Sequence, residues 1–464
     1  MRIRKKKPTL KKDSLNVIET IALSVALIAP TAAMALNVSL MSKTASFSSP
    51  LIFFISMIIV GLVAYSIIKF NQRLSSAGSL YAFTEKTLGK NMGFTTGWTL
   101  ILAYTMIAAG SAAALGSFFS KFLAAFGIHT SWLPLALVFS LLLIYVGIKD
   151  AKTNTKIMII TEGISVFMIL ILSVVILYKV GKTTGLSLVP FKTNGNSFST
   201  LATTSVFAFL ALTGFESASS LGEETKNPKV IIPLAIGSAV FASSLFYLLS
   251  SYAQVIGFGL DANGLKSLSS STLPLSDLSN KFITKDFGIM LILTASLSFF
   301  SCSLGAVLAG ARVLFSMSRD GLMPRSMKKI HKISHTPYIG IILIMTIAII
   351  LQISLSPLDG IEIFGYLATI GSLSLIVTYL FTCFGAFVYF KKHKSTNSLD
   401  IFIPIISVIA LIYVLGSNIY PIPAFPSNIF IYIVLAWITV GFIVSHKLRK
   451  NKSRNIDIEI KKEA

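Results

Sequence analysis

The residues with the most chemical potential in this chain lie at 207–233, FAFLALTGFESASSLGEETKNPKVIIP. The stretch begins as an apolar run, meets Thr213-Gly214 in mid-run, and places Glu216 just beyond. It ends in the polar turn Glu223-Glu224-Thr225-Lys226-Asn227-Pro228-Lys229 before the next apolar run. A charged side chain inside a membrane span costs roughly 2.5 to 3.5 kcal/mol on insertion. Backbone groups or a carboxylate retained there serve a site within the membrane. A second interruption falls at Pro30, in the middle of IETIALSVALIAPTAAMALNVSL. Proline removes a backbone donor, clashes with the carbonyl four residues back, and biases Ala29 away from helical geometry. Two interrupted spans point to a transporter that holds its substrate at exposed helix ends near the bilayer midplane.

Other residues have candidate coupling or gating roles: Glu162, Glu216, Arg312, Ser301 and Ser303. Glu162, in TKIMIITEGISVF, reads as one turn inside the end of its span, where it carries a proton, snorkels to water or pairs with Lys156. Arg312, in LAGARVLFSMSRDGLMP, lies similarly inside its own span, and pairing with Glu162 or Glu216 would offset the burial of both. Ser296, Ser298, Ser301 and Ser303 share that span; their hydroxyls either coordinate sodium or satisfy helix carbonyls. The small-residue run AAGSAAALG at Ala108 to Gly116 suits close helix approach. His129, His331, His335, His393 and His446 lack metal-ligand spacing, so no metal site is expected. Phosphate-cradling loops, paired-histidine motifs and nucleophile elbows are absent from the sequence. An enzyme is therefore not expected, nor a cofactor, and transport energy would come from an ion gradient or from exchange.

The elements that must position these residues follow from composition. With 54% hydrophobic and only 12% charged residues over 464 positions, the chain is a polytopic membrane protein. Cys302 and Cys383, the two cysteines, lie in apolar runs and form no disulfide framework. Twelve apolar runs are long enough to span, at about 16–40, 50–68, 93–120, 132–148, 157–179, 199–221, 231–258, 287–317, 339–356, 360–390, 401–419 and 427–446. The two tails, alternate loops and the span end carrying Arg312 hold 32 of the 40 Lys and Arg, which places both termini in the cytoplasm. That distribution accounts for the net charge of +22 without a nucleic-acid partner. Ala33-Met34-Ala35 fits a small-residue cleavage site, but removing the first run would set the charge pattern against the topology, so helix 1 is expected to stay. Two long polar segments, Lys69 to Met92 and Gly259 to Phe287, fall on opposite faces. They divide the chain into a basic tail (1–15), a first five-helix unit (16–181), an inverted second unit (199–392), two peripheral helices (400–446) and a second basic tail (447–464).

At this point the motifs carry a family resemblance. GFESASSLGEETKNPKVIIPLAI resembles the helix 6 to helix 7 signature of the amino acid-polyamine-organocation superfamily. SSAGSLYAFTEKTLGKNMGFTTGW and FSMSRDGLMPRSMKKIH resemble its loop into helix 3 and its helix 8 exit. The resemblance implies an all-α, leucine-transporter-like fold of twelve transmembrane helices, a 5+5 inverted repeat with helices 1 and 6 interrupted. It also implies import or exchange of amino acids or related amines through the cell membrane, with H+ or Na+ as candidate coupling ions. By position, Ala29, Pro30, Thr31 and Ala32 match the unwound segment of helix 1, where relatives bind a substrate carboxylate through backbone amides. Phe209, Ala211, Leu212, Thr213 and Gly214 match the helix 6 interruption, whose carbonyls would receive the amino group. Ile28, Phe209 and Leu212 give this site an apolar lining that favours neutral substrates. The chain departs from the pattern twice: Ala29-Pro30-Thr31 stands where many relatives carry Gly-Ser-Gly, and Glu162 where proton-coupled relatives carry lysine. The first departure favours the alternative of a polyamine or amino acid/amine exchanger; a third reading is a nutrient sensor without net transport.

Overall fold

The computed structural model describes residues 10–74, 76–393, 397–420 and 422–463. Residues 1–9 of the basic N-terminal tail, Ser75 and the side chains of 448–464 lie outside that description. The described residues form sixteen α-helices joined by short connections, with a single isolated bridge between Leu15 and Thr225 in place of any strand. In chain order they open with α1 (Val17–Ile28), α2 (Pro30–Ala45), α3 (Ser49–Arg73), α4 (Leu80–Leu88), α5 (Lys90–Ala124), α6 (Trp132–Gly147), α7 (Ala151–Thr183) and α8 (Phe198–Leu212). The remainder are α9 (Pro228–Phe258), α10 (Ala262–Ser270), α11 (Pro274–Phe282), α12 (Lys285–Arg319), α13 (Tyr338–Ser354), α14 (Gly360–Lys392), α15 (Leu399–Ser417) and α16 (Ser427–Glu463).

Among the described residues, ten segments are long and apolar enough to cross a membrane. Two of these are composite: α1 with α2, and α8 with the 3₁₀ turn Phe215–Leu221. Two expected spans, α6 and α13, have only 16 and 17 residues, a rise of about 24 to 26 Å. Pro337 sets the start of α13, and the Lys149-Asp150 turn follows the end of α6. The polar segments before α5 and before α12 carry their own short helices, α4 and the pair α10–α11.

Lipid cannot drive helices together as water does, so close packing by small residues must. The apolar eighteen-residue core of α5 is 89% buried, as is that of α12, and α5 packs along both α12 and α14. Small residues on both helices permit this: a Cβ on Gly110 of α5 would lie 3.2 Å from the Phe364 backbone, and one on Gly371 of α14 would lie 2.9 Å from the Ala103 carbonyl. A second group forms where α3 packs along α9, with α1 and α8 against them. The spans of α15 and α16 are only 28% buried and lie at the outside of the bundle. A reciprocal clasp holds α16 to α5: Trp98 Nε1 donates to the Trp437 carbonyl (3.1 Å) and Trp437 Nε1 to the Trp98 carbonyl (2.9 Å), with the rings stacked 4.6 Å apart.

Candidate functional site

The two broken spans meet at one place. α1 ends at Ile28, Ala29 takes a left-handed conformation (φ 49°), and Pro30 starts α2 at a position where no intrahelical donor is needed. α8 ends at Leu212, Thr213 is extended, and Gly214 turns with φ 96° into the 3₁₀ segment. Gly214 is required on two counts. Its φ disfavours any side chain, and a Cβ there would sit 2.7 Å from Leu27 Cγ. Tyr247 of α9 bridges the breaks, its hydroxyl lying 3.3 Å from the Ile28 carbonyl and 2.9 Å from that of Ala211.

A cavity of about 560 Å³ runs from these breaks to one end of the bundle. Its inner wall includes Ile28, Ala29, Ala32, Ala211 and Thr213, with Ile107, Phe207, Leu210, Cys302, Phe364 and Ser372 around them. Lys43, Lys121, Asp359 and Glu362 line its mouth, at the end where α2 and α5 finish and α14 begins. The charged lining groups stand at the mouth, and the wall around the breaks is apolar with a few hydroxyls.

Not every expected lining residue faces this space. Pro30, Thr31, Phe209, Leu212 and Gly214 are absent from its wall, and Phe209 and Leu212 are turned into the helix packing at 1% and 0% exposure. The apolar lining expected from Phe209 and Leu212 is supplied by Phe207 and Leu210, two residues back in each case. The α8 helix continues through 212 and so rotates the later pair away.

The buried carboxylates are held differently from the sequence expectation. Arg312 pairs with neither Glu162 nor Glu216; its Nε and Nη2 donate to Glu224 at 2.5 and 3.2 Å, with both side chains at most 2% exposed. Glu216 instead accepts from Tyr104 (2.9 Å) and from Tyr379, whose hydroxyl also takes the Gly214 amide at 3.0 Å. Glu162 neither snorkels nor pairs with Lys156. Asp150 caps α7 at Ala151, so the polar residues 151–156 are helical and Glu162 lies about three turns inside.

Ser298 Oγ is 3.0 and 3.1 Å from the two Glu162 oxygens and receives the Ala32 amide at 3.3 Å. A single hydroxyl thus links the carboxylate to the first turn of α2. The buried Ser301 hydroxyl lies near the same carboxylate without closing a full hydrogen bond to it, and Thr31 Oγ1 is buried with no hydrogen-bond partner among the described residues. Ser303 donates to the Ala108 carbonyl at 3.0 Å and Ser296 to that of Ile292, so these two satisfy backbone. Among the described residues no group of three or more His, Cys, Asp or Glu could hold a metal ion.

Sequence reasoning missed Tyr104, Tyr247 and Tyr379, because a lone tyrosine in an apolar run carries no local sign of its partner. Glu224 was visible only as half of an acidic pair in a polar turn.

The amino acid permease family matches residues 15–443, nearly the whole chain. The chain belongs to that family. Among its relatives, the branched-chain amino acid permease BcaP of Bacillus subtilis (strain 168) is 30% identical over 340 residues, covering 68% of each chain. The methylthioribose transporter of the same organism is 26% identical over 415 residues, 84% of each. The vacuolar cationic amino acid transporter 4 of Arabidopsis thaliana is 28% identical over 304 residues, 61% of this chain and 49% of its own. This permease is accordingly a multi-span membrane protein of a transporter family.

Proposed function

We propose that this permease is a secondary active transporter that moves neutral α-amino acids across the cytoplasmic membrane by alternating access. The observation that carries the reading is the pairing of the two helix breaks in the wall of one cavity whose charged lining residues all lie toward one end of the bundle. The start of α2 offers the positive end of a helix dipole and the end of α8 the negative end, which together suit a zwitterion. The apolar wall favours an uncharged side chain, as does the branched-chain permease among the relatives.

In this reading the twelve helices form two inverted five-helix units, α1–α7 and α8–α14, with α15 and α16 peripheral. The short helices of the two polar segments support the equivalence, and both tails face the cytoplasm with the basic loops. Glu162 is the coupling residue, exchanging a proton or holding Na+ with the Ser298 and Ser301 hydroxyls. Through Ser298 its state is felt at the Ala32 amide. Glu216 keeps the α8 break in shape through Tyr104 and Tyr379, and Arg312 acts at the closed end.

Thermal stabilisation of the purified protein against the twenty amino acids and common polyamines, with and without Na+ at two pH values, tests this. A ligand at a hundred times its dissociation constant stabilises by about 2.7 kcal/mol. A shift with a neutral amino acid is expected, and its Na+ or pH dependence names the ion. If only amines shift the midpoint, the reading becomes an amine exchanger, which the Ala29-Pro30-Thr31 sequence favours; if no α-amino acid does, the proposal fails.

A further inference from the structure

The end of the bundle opposite the cavity mouth is closed by a segment that the transport reading leaves without a task. Residues 10–15 cross it as a strap that turns at Lys12-Asp13. Near Leu15 the strap is bonded through its backbone to the turn after the 3₁₀ segment. The Glu224 carbonyl accepts from the amides of Ser14 (2.8 Å) and Leu15 (3.0 Å), and the Lys226 amide donates to the Leu15 carbonyl (3.0 Å). At its other end Leu10 is 2% exposed, seated in a small socket of Ala77, Phe315 and Ile330. That socket belongs to other elements: the α3–α4 connection, α12, and the connection beyond α12.

We infer that residues 10–15 form a releasable strap that ties the tail end of this transporter shut, and that Leu10 leaves its socket whenever the cavity opens to that side. The inference rests on the transport reading, since a protein with one fixed opening has no need of release. Three observations support it. First, the strap bridges two sides of a seam: its Leu15 end is bonded to the 224–226 turn and its Leu10 end is seated against Ala77, Phe315 and Ile330. Second, the same seam is closed beneath it. The Glu224 side chain reaches Arg312 on α12, Arg319 pairs with Glu223, and Gly222 lies so near Ser76 that a Cβ would come within 2.5 Å of its amide nitrogen. Third, Leu10 is followed by exposed Lys11, Lys12 and Asp13, so one apolar plug is carried on a hydrated stem. A single seated leucine releases far more readily than a packed helix face. The family match begins at residue 15, so residues 10–14 lie outside it.

Cys302 lines the cavity and reports on the seam without an added probe. With Cys383→Ala it becomes the sole thiol, and its reaction with a membrane-impermeant thiosulfonate is followed in vesicles presenting one face or the other. From the tail face, Leu10→Asp is expected to raise the labelling rate about tenfold, as a population shift toward the tail-open state. Leu10→Met, which keeps the plug apolar, should leave the rate at that of the parent. From the mouth, Leu10→Asp should give an unchanged or lower rate, which also shows that the variant is folded. No change from the tail face, or an equal rise from both faces, overturns the strap. Because no substrate is added, this outcome is independent of whether an amino acid is carried; absence of uptake by the parent counts against the transport reading alone.

Discussion

The layer around the helix breaks and the layer at the tail end neutralise buried carboxylates by opposite means. At the tail end Glu224 faces a guanidinium that can only donate. Around the breaks Glu162 meets a serine and Glu216 two tyrosines. A hydroxyl donates to a carboxylate or accepts from a carboxylic acid with equal ease. The difference teaches that the middle layer tolerates a change of protonation without repacking, whereas the tail layer holds only while its charges are fixed.

The severest way to break this comparison is to fill the middle layer. Gly214→Leu is expected to abolish uptake while the protein still inserts and is recovered from the membrane, because the side chain would collide with Leu27; full uptake would remove the breaks from the transport path. Next in size, Glu224→Gln leaves Arg312 as a buried charge without its counterion and should cost about 3 to 5 kcal/mol in thermal or denaturant unfolding. If that variant melts with the parent, the tail layer is not held by charge. Glu162→Gln sharpens the contrast, since its neutral amide still accepts from Ser298. Stability should stay within about 1 kcal/mol, yet uptake should lose its dependence on pH or Na+. A retained ion dependence would move coupling elsewhere. The most local effect is expected of Tyr379→Phe, which removes one donor to Glu216 and the acceptor for the Gly214 amide. About 1 to 3 kcal/mol of stability should be lost, read best as faster amide exchange at 213–215.

How much of this was legible in the sequence depended on how local each cause is. Proline and glycine act through their own backbone, so the breaks at Pro30 and Thr213-Gly214 could be read directly. The small residues of α5 likewise announced close packing. The depth of Glu162 was hidden because residues 151–156 look like a polar loop, while a cap by Asp150 makes them helix. The partner of Arg312 was hidden for another reason. Glu224 lies 88 positions away in a turn whose acids read as solvent-facing, and only the folding of that turn beneath α12 buries it. Which of 207, 209, 210 and 212 face the cavity turned on the rotation of α8, which hydrophobicity alone does not give when every side of the helix is apolar.

The tryptophan clasp between α5 and α16 has an optical consequence. The chain has three tryptophans, and two of them, Trp98 and Trp437, are stacked on each other with their indole protons committed to carbonyls. The third, Trp132, donates to the Leu358 carbonyl. None lines the cavity. The native emission of this protein therefore arises from its frame, and ligand binding at the helix breaks should leave it nearly silent. A single tryptophan introduced in place of Phe207 would turn the same spectrum into a reporter of the cavity, read against an internal standard that the molecule already carries.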